Sequence, residues 1–155
     1  IAPGEKYNGT HYIRQDPLQG PECGKVLFIH GIGSFYSCWD HMARYFRENR
    51  YGTLQYDLIG RGFSDKSPNG RYGEEEHVQQ LLDLLNHIDS NGENITYHVV
   101  AHSMGGSLAT IFASRHPEFI KSLTLLSPAG MMGYFPIGFV RHMTCLHGVL
   151  KSQLT

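Results

Sequence analysis

The sequence predicts an α/β protein with a mostly parallel sheet and helices on both faces. Three observations carry that prediction. Apolar runs at Val26–Ile29, Thr53–Asp57, Ile95–Ala101 and Ile120–Leu126 read as strands, the first continuous rather than alternating, as strands covered on both faces are. Between the runs, apolar residues recur at helical spacing, and each connection is long enough for a crossover back to a parallel strand. Gly31, Gly60 and Ser103 all fall at the carboxyl ends of these strands, where sheets of this kind bind their ligands.

The elements follow in order. Tyr7, Tyr12 and Ile13 among Gly, Pro and Asn predict a short antiparallel pair, then a loop at Pro17–Gly24. Lys25–His30 is the first buried strand, ended by Gly31 and Gly33. Ser37 with Asp40 predicts a helix start, and Trp39, Met42, Ala43 and Phe46 share one helical face up to about Asn49. Gly52 is read as a break, followed by a second buried strand at Thr53–Asp57. The glycines from Gly60 to Gly73, with Pro68, predict a loop. A helix then starts near Glu74, with Val78, Leu81, Leu82, Leu85 and Ile88 on its apolar face. Its acidic first turn suits the positive end of the helix dipole. Ser90-Asn91-Gly92 closes it. The strand at Ile95–Ala101 leads through Ser103 into a helix that buries Leu108, Ile111 and Phe112 and ends near His116-Pro117. A last strand, Ile120–Leu126, is closed by Ser127-Pro128-Ala129-Gly130.

Composition excludes several classes of function. With 155 residues, one domain is expected. A net charge of -1 gives no electrostatic reason to bind nucleic acid or anionic lipid. No apolar run is long enough to span a bilayer. Cys23, Cys38 and Cys145 are odd in number and widely spaced, which points to reduced thiols and a cytoplasmic setting; Cys38 reads as core packing. Asn8-Gly9-Thr10 and Asn94-Ile95-Thr96 match the glycosylation acceptor pattern, a match that chance often produces. No metal-ligand pattern or dinucleotide fingerprint is present, so no cofactor is expected.

The chemistry concentrates at Tyr97–Gly106. A strand runs into Ala101-His102-Ser103-Met104-Gly105-Gly106, the layout of a nucleophile elbow, in which a sharp strand-to-helix turn lifts a serine Oγ into the open. Small residues flank such a serine because its backbone is strained and larger side chains would strike the neighbouring strand or helix. His30-Gly31-Ile32-Gly33 ends the first buried strand, and its glycines are read as allowing close approach that leaves the Ile32 N–H free. The Met104 N–H, at the start of the following helix, is its partner in an oxyanion hole. His30 and His102 are read as structural rather than as bases.

His30-Gly31-Ile32-Gly33, then Asp57-Leu58-Ile59-Gly60-Arg61-Gly62-Phe63-Ser64, then Ala101–Gly106 resemble, in this order, the α/β-hydrolase fold family. The likeness spans roughly residues 7 to 130. It implies Ser103 as nucleophile, the Ile32 and Met104 amides as oxyanion donors, and Gly31, Gly33 and Gly105 as supporting positions. It also implies hydrolysis of an ester, thioester or related acyl bond, since the dehalogenase and epoxide hydrolase branches carry aspartate where Ser103 stands.

In such enzymes an acid and then a histidine follow the serine in the chain. Here Glu118 is the only later carboxylate, and it falls at the wrong end of the sheet; His116, His142 and His147 are the later histidines. The chain therefore reads as 1–130, the N-terminal part of a hydrolase core, and 131–155, the start of a cap or an apolar tail. The apolar residues from Met131 onward suggest an apolar acyl substrate, or a surface that a partner segment or second copy covers. The alternative is a hydrolase-like binding protein without catalysis.

Overall fold

The computed structural model describes residues 3–90, 92 and 94–130. Along the chain come β1 (Glu5–Tyr7), β2 (Thr10–Gln15), β3 (Gly24–Ile29), a 3-10 turn (Tyr36–Trp39), α1 (Asp40–Glu48) and β4 (Tyr51–Tyr56). After these come α2 (Glu74–Ile88), β5 (Tyr97–His102), α3 (Met104–Arg115), a second 3-10 turn (Pro117–Phe119) and β6 (Ile120–Leu126). The expected cap or tail at 131–155, with His142, His147 and Cys145, lies outside the described residues.

The strands form one sheet in the order β1-β2-β4-β3-β5-β6. β1 and β2 are an antiparallel hairpin turned through Asn8 and Gly9, which both take positive φ, as a two-residue hairpin turn of this hand requires. β2 is antiparallel to β4, whereas β4, β3, β5 and β6 all run parallel. β3 sits among them with both faces covered. Leu27 and Ile29 join a core with Leu81, Leu84 and Leu85 of α2 and Leu108 and Phe112 of α3. Val26 and Phe28 point the other way, onto Trp39, just before α1, and Ala43 within it. That alternation explains the unbroken apolar run of the sequence.

α2 begins as its acidic first turn predicts. The Glu76 carboxylate accepts the Gly73 N–H at 3.1 Å, capping the helix, while Arg115 of α3 bridges to Glu74 and Glu75. The result pins α2 to α3 on one face of the sheet.

Four readings of the sequence need correction. Gly52 does not break the chain: it lies buried inside β4, paired with Lys25 of β3. Ser37 caps nothing, because the chain enters α1 through a 3-10 turn and the Asp40 carboxylate accepts the Gln55 side-chain amide instead. Met42 faces solvent at 37% exposure, so the inward face of α1 is Trp39 and Ala43, with Phe46 half-buried. Cys38 is exposed, not core, and is a free thiol like Cys23.

Candidate active site

Ser103 occupies the turn between β5 and α3 with φ 53° and ψ -121°. A side chain in that left-handed region carries strain of about 1–3 kcal/mol, which persists only where surroundings impose it. Here they do. The Ser103 N–H donates to the Leu126 carbonyl at 3.0 Å, and the Ser103 carbonyl accepts the N–H of Gly106 and of Ala129, each at 2.9 Å. Ser107 Oγ donates to the Ala129 carbonyl at 2.5 Å. The last residue of β6 and the segment just after it therefore hold both polar groups of the Ser103 main chain.

The glycines around it differ in what they do. A Cβ on Gly105 would sit 2.5 Å from the His30 carbonyl oxygen and 2.6 Å from that of Ile29. A Cβ on Gly31 would lie 3.0 Å from Ser103 Cβ, which places the end of β3 against the elbow. Gly33 corrects the reading that both glycines of His30–Gly33 serve close approach. Nothing lies within 4 Å of a Cβ there; its φ of +72° is what calls for glycine.

Ile32 follows Gly31 on this loop, and Met104 is the first residue of α3, where backbone N–H groups have no partner within the helix. Among the described residues, neither N–H donates a backbone hydrogen bond. His30 is fully buried. Its Nε2 accepts the Leu58 N–H at 3.1 Å, so Nδ1 carries the proton and donates to the Gly31 carbonyl at 2.8 Å. Burial pushes its pKa below the ordinary 6.5. His30 is thus a neutral brace between the ends of β3 and β4. His102 is exposed at the end of β5. His116 and Glu118 face each other at 3.3 Å, but where β6 begins. Ser103 lies where β5 ends, about 20 Å away along a six-residue strand.

In the sequence Asp57 is part of a motif with no task attached to it, and no pattern marks His11 or Gln55. All three are buried. The Asp57 carboxylate accepts the N–H of Tyr36 at 2.7 Å and of Phe63 at 2.9 Å, and meets His11 Nδ1 at 2.8 Å. Gln55 Nε2 donates to the Tyr36 carbonyl at 3.1 Å. The available signal was a carboxylate directly after an apolar strand, a place where only a partnered charge is tolerated.

A cleft of about 620 Å³ opens between the β1–β2 turn, residues 65–69 and α2, lined by Thr10, Ile59, Asp65 and Gln79 among others; Ser103 is not in its wall. Among the described residues no cluster of three metal-ligating side chains occurs, and no helix is long and apolar enough to cross a membrane.

A family model described as the alpha/beta hydrolase fold matches residues 25–141. The chain belongs to that family. This hydrolase-fold chain is 31% identical over 127 residues to monoacylglycerol lipase abhd6-A of Xenopus laevis, covering 82% of the chain and 36% of the relative. It is 36% identical over 118 residues to probable lysophospholipase BODYGUARD 1 of Arabidopsis thaliana, covering 74% and 24% respectively. The chain thus spans between a quarter and two fifths of the relatives' lengths. A probable hydrolytic enzyme from Pseudomonas aeruginosa PAO1 superposes with a TM-score of 0.71 at 24% identity, over 79% of this chain and 38% of that one, a likeness of fold.

Proposed function

We propose that the protein hydrolyses a carboxylic ester through a covalent acyl-Ser103 intermediate, and that the acyl group is apolar, as in a singly acylated glycerolipid. The single observation that carries this reading is the backbone of Ser103, held at positive φ on a strand-to-helix turn beside Gly31. A serine serving only as a helix cap has extended backbone and incurs no such strain. The matched relatives named as a monoacylglycerol lipase and a probable lysophospholipase support the ester bond and the lipid-like acyl group.

In this mechanism Ser103 Oγ attacks the carbonyl carbon while its proton passes to a general base. The carbonyl π pair moves onto oxygen, facing the N–H groups of Ile32 and Met104. Collapse of this oxyanion expels the alcohol, which takes up the proton, and leaves the acyl-serine. Water then repeats the sequence, releasing the acid and restoring the hydroxyl. One oxyanion donor contributes about 3 kcal/mol to the transition state. Among the described residues no imidazole hydrogen-bonds Ser103 Oγ; His142 and His147 lie outside them.

The test is a fluorophosphonate probe on the full-length protein, followed by turnover of p-nitrophenyl esters of rising acyl length. Labelling at Ser103 that disappears in Ser103→Ala is expected, with turnover favouring longer chains. A folded protein that stays unlabelled would overturn the nucleophile, and preference for the shortest ester would overturn the apolar acyl group.

A further inference from the structure

Asp57 is 0% exposed, and it stands one residue past β4 rather than in the elbow. Its carboxylate nevertheless gathers three separate pieces of chain. Oδ1 takes the Tyr36 N–H, and Oδ2 takes the Phe63 N–H and faces His11 Nδ1. Tyr36 closes the loop that begins at Gly31, so this carboxylate holds the far end of the segment carrying Ile32. Gln55, two residues earlier on the chain, holds the carbonyl of the same Tyr36. Both polar groups of the Tyr36 main chain are thus fixed by side chains from β4 and its end. The near end of the loop is fixed by β3 and by His30, whose Nδ1–H reaches the Gly31 carbonyl.

Neighbouring positions are shaped around this carboxylate. A Cβ on Gly62 would fall within 2.2 to 2.5 Å of its atoms, at a φ of +49°. Ser64 Oγ donates to the Asp57 carbonyl at 2.6 Å and accepts the His11 N–H at 2.9 Å. Gly62 therefore leaves room for the acid, and Ser64 ties the Asp57 main chain to that of His11. His11 is 3% exposed and its Nε2 lies 2.5 Å from the Pro3 carbonyl oxygen, so β2 supplies the imidazole wall of the same nest.

We propose that Asp57 is a positioning residue for the reaction at Ser103. It fixes the Gly31–Tyr36 loop so that the Ile32 N–H stays aimed at the developing oxyanion, with His11 and the Gly60–Ser64 turn holding the acid in place. This rests on the reading of Ser103 as nucleophile and Ile32 as oxyanion donor. Asp57 touches no substrate and acts only through the loop. Displacing one donor by about 1 Å costs on the order of 100-fold in rate, and removing an oxyanion donor costs about 100- to 1000-fold.

The experiment compares full-length wild type with Asp57→Asn and Asp57→Ala, using amide hydrogen exchange across 31–36, thermal unfolding and steady-state kinetics. An asparagine retains one acceptor oxygen for Tyr36 and loses the other. Both variants are expected to exchange faster at 31–36 while β5 and α3 keep their protection. In Asp57→Asn at a temperature where it is folded, kcat falls at least 10-fold with KM within about 3-fold, and labelling at Ser103 slows in step. Unchanged exchange at 31–36 would overturn the positioning role. So would wild-type kcat in folded Asp57→Asn, or a fall that only tracks the unfolded fraction. If Asp57→Ala does not fold, Asp57→Asn and the separate variant Gln55→Leu, which frees the Tyr36 carbonyl, carry the exchange measurement. Absence of Ser103 labelling in wild type would instead refute the nucleophile, leaving the exchange result to judge the loop.

Discussion

Gly105→Ala tests the tight contact between β3 and the start of α3. The added methyl would lie 2.5 Å from the His30 carbonyl oxygen and 2.6 Å from that of Ile29, whereas ordinary contact begins at 3.4 Å. Those neighbours are backbone atoms, so no rotamer change relieves the overlap. Either the end of β3 or the first turn of α3 must retreat by most of an ångström. Overpacking of this kind costs about 1–3 kcal/mol, and the better helix propensity of alanine returns up to about 1 kcal/mol. The net loss of stability is therefore modest. The retreat, however, separates the loop bearing Ile32 from the helix start bearing Met104, the two proposed oxyanion donors. Misplacement on that scale lowers turnover by about 100-fold. The expected signature is a stability from denaturant melts lowered by no more than about 3 kcal/mol, with labelling at Ser103 in the folded variant slowed about 100-fold. Wild-type labelling and stability in Gly105→Ala would refute the reasoning.

Two further outcomes follow from the strained backbone of Ser103 and from the burial of two histidines. Ser103→Gly should be more stable than Ser103→Ala by about 1 kcal/mol, because glycine accepts φ 53° without strain and alanine does not; equal denaturant midpoints would show that the elbow is not strained. Burial depresses the pKa of His30 and of His77 below 6.5, so both are neutral when folded and take up protons on unfolding in acid. Their contribution is fully present above pH 6.5 and is lost as pH falls below it, by up to about 1.4 kcal/mol per pH unit for each. Denaturant melts from pH 8 to 5 should show a shallower acid loss in His77→Gln than in wild type, and identical slopes would count against the buried neutral form.

Much of the scaffold was legible because its signals are local. The run Val26–Ile29 reads as a strand covered on both faces, and β3 is that strand. Leu81 and Leu85 recur at helical spacing, and both are buried in α2. The turn at Ser103 was legible for a steric reason: Ala101, Gly105 and Gly106 are small where a strand must double into a helix. Gly52 and Ser37 were misread for the complementary reason. Each carries a strong local preference, for breaking a strand or capping a helix, which pairing with Lys25 and the Asp40–Gln55 bond override.

The sequence by itself determined the alternation of strands and helices, the place of the elbow and the family resemblance, since periodicity and side-chain size act between near neighbours. Only the tertiary structure decided what holds the site in shape. Asp57 meets His11 across 46 residues and Tyr36 across 21, and Ser107 reaches Ala129 across 22. No spacing rule announces such contacts, because they are made by the crossing of strands from distant parts of the chain. A buried carboxylate must find donors wherever the packed fold offers them. Here those donors come from β2, the Gly31–Tyr36 loop and the Gly60–Ser64 turn, brought together only once β4 is paired between β2 and β3.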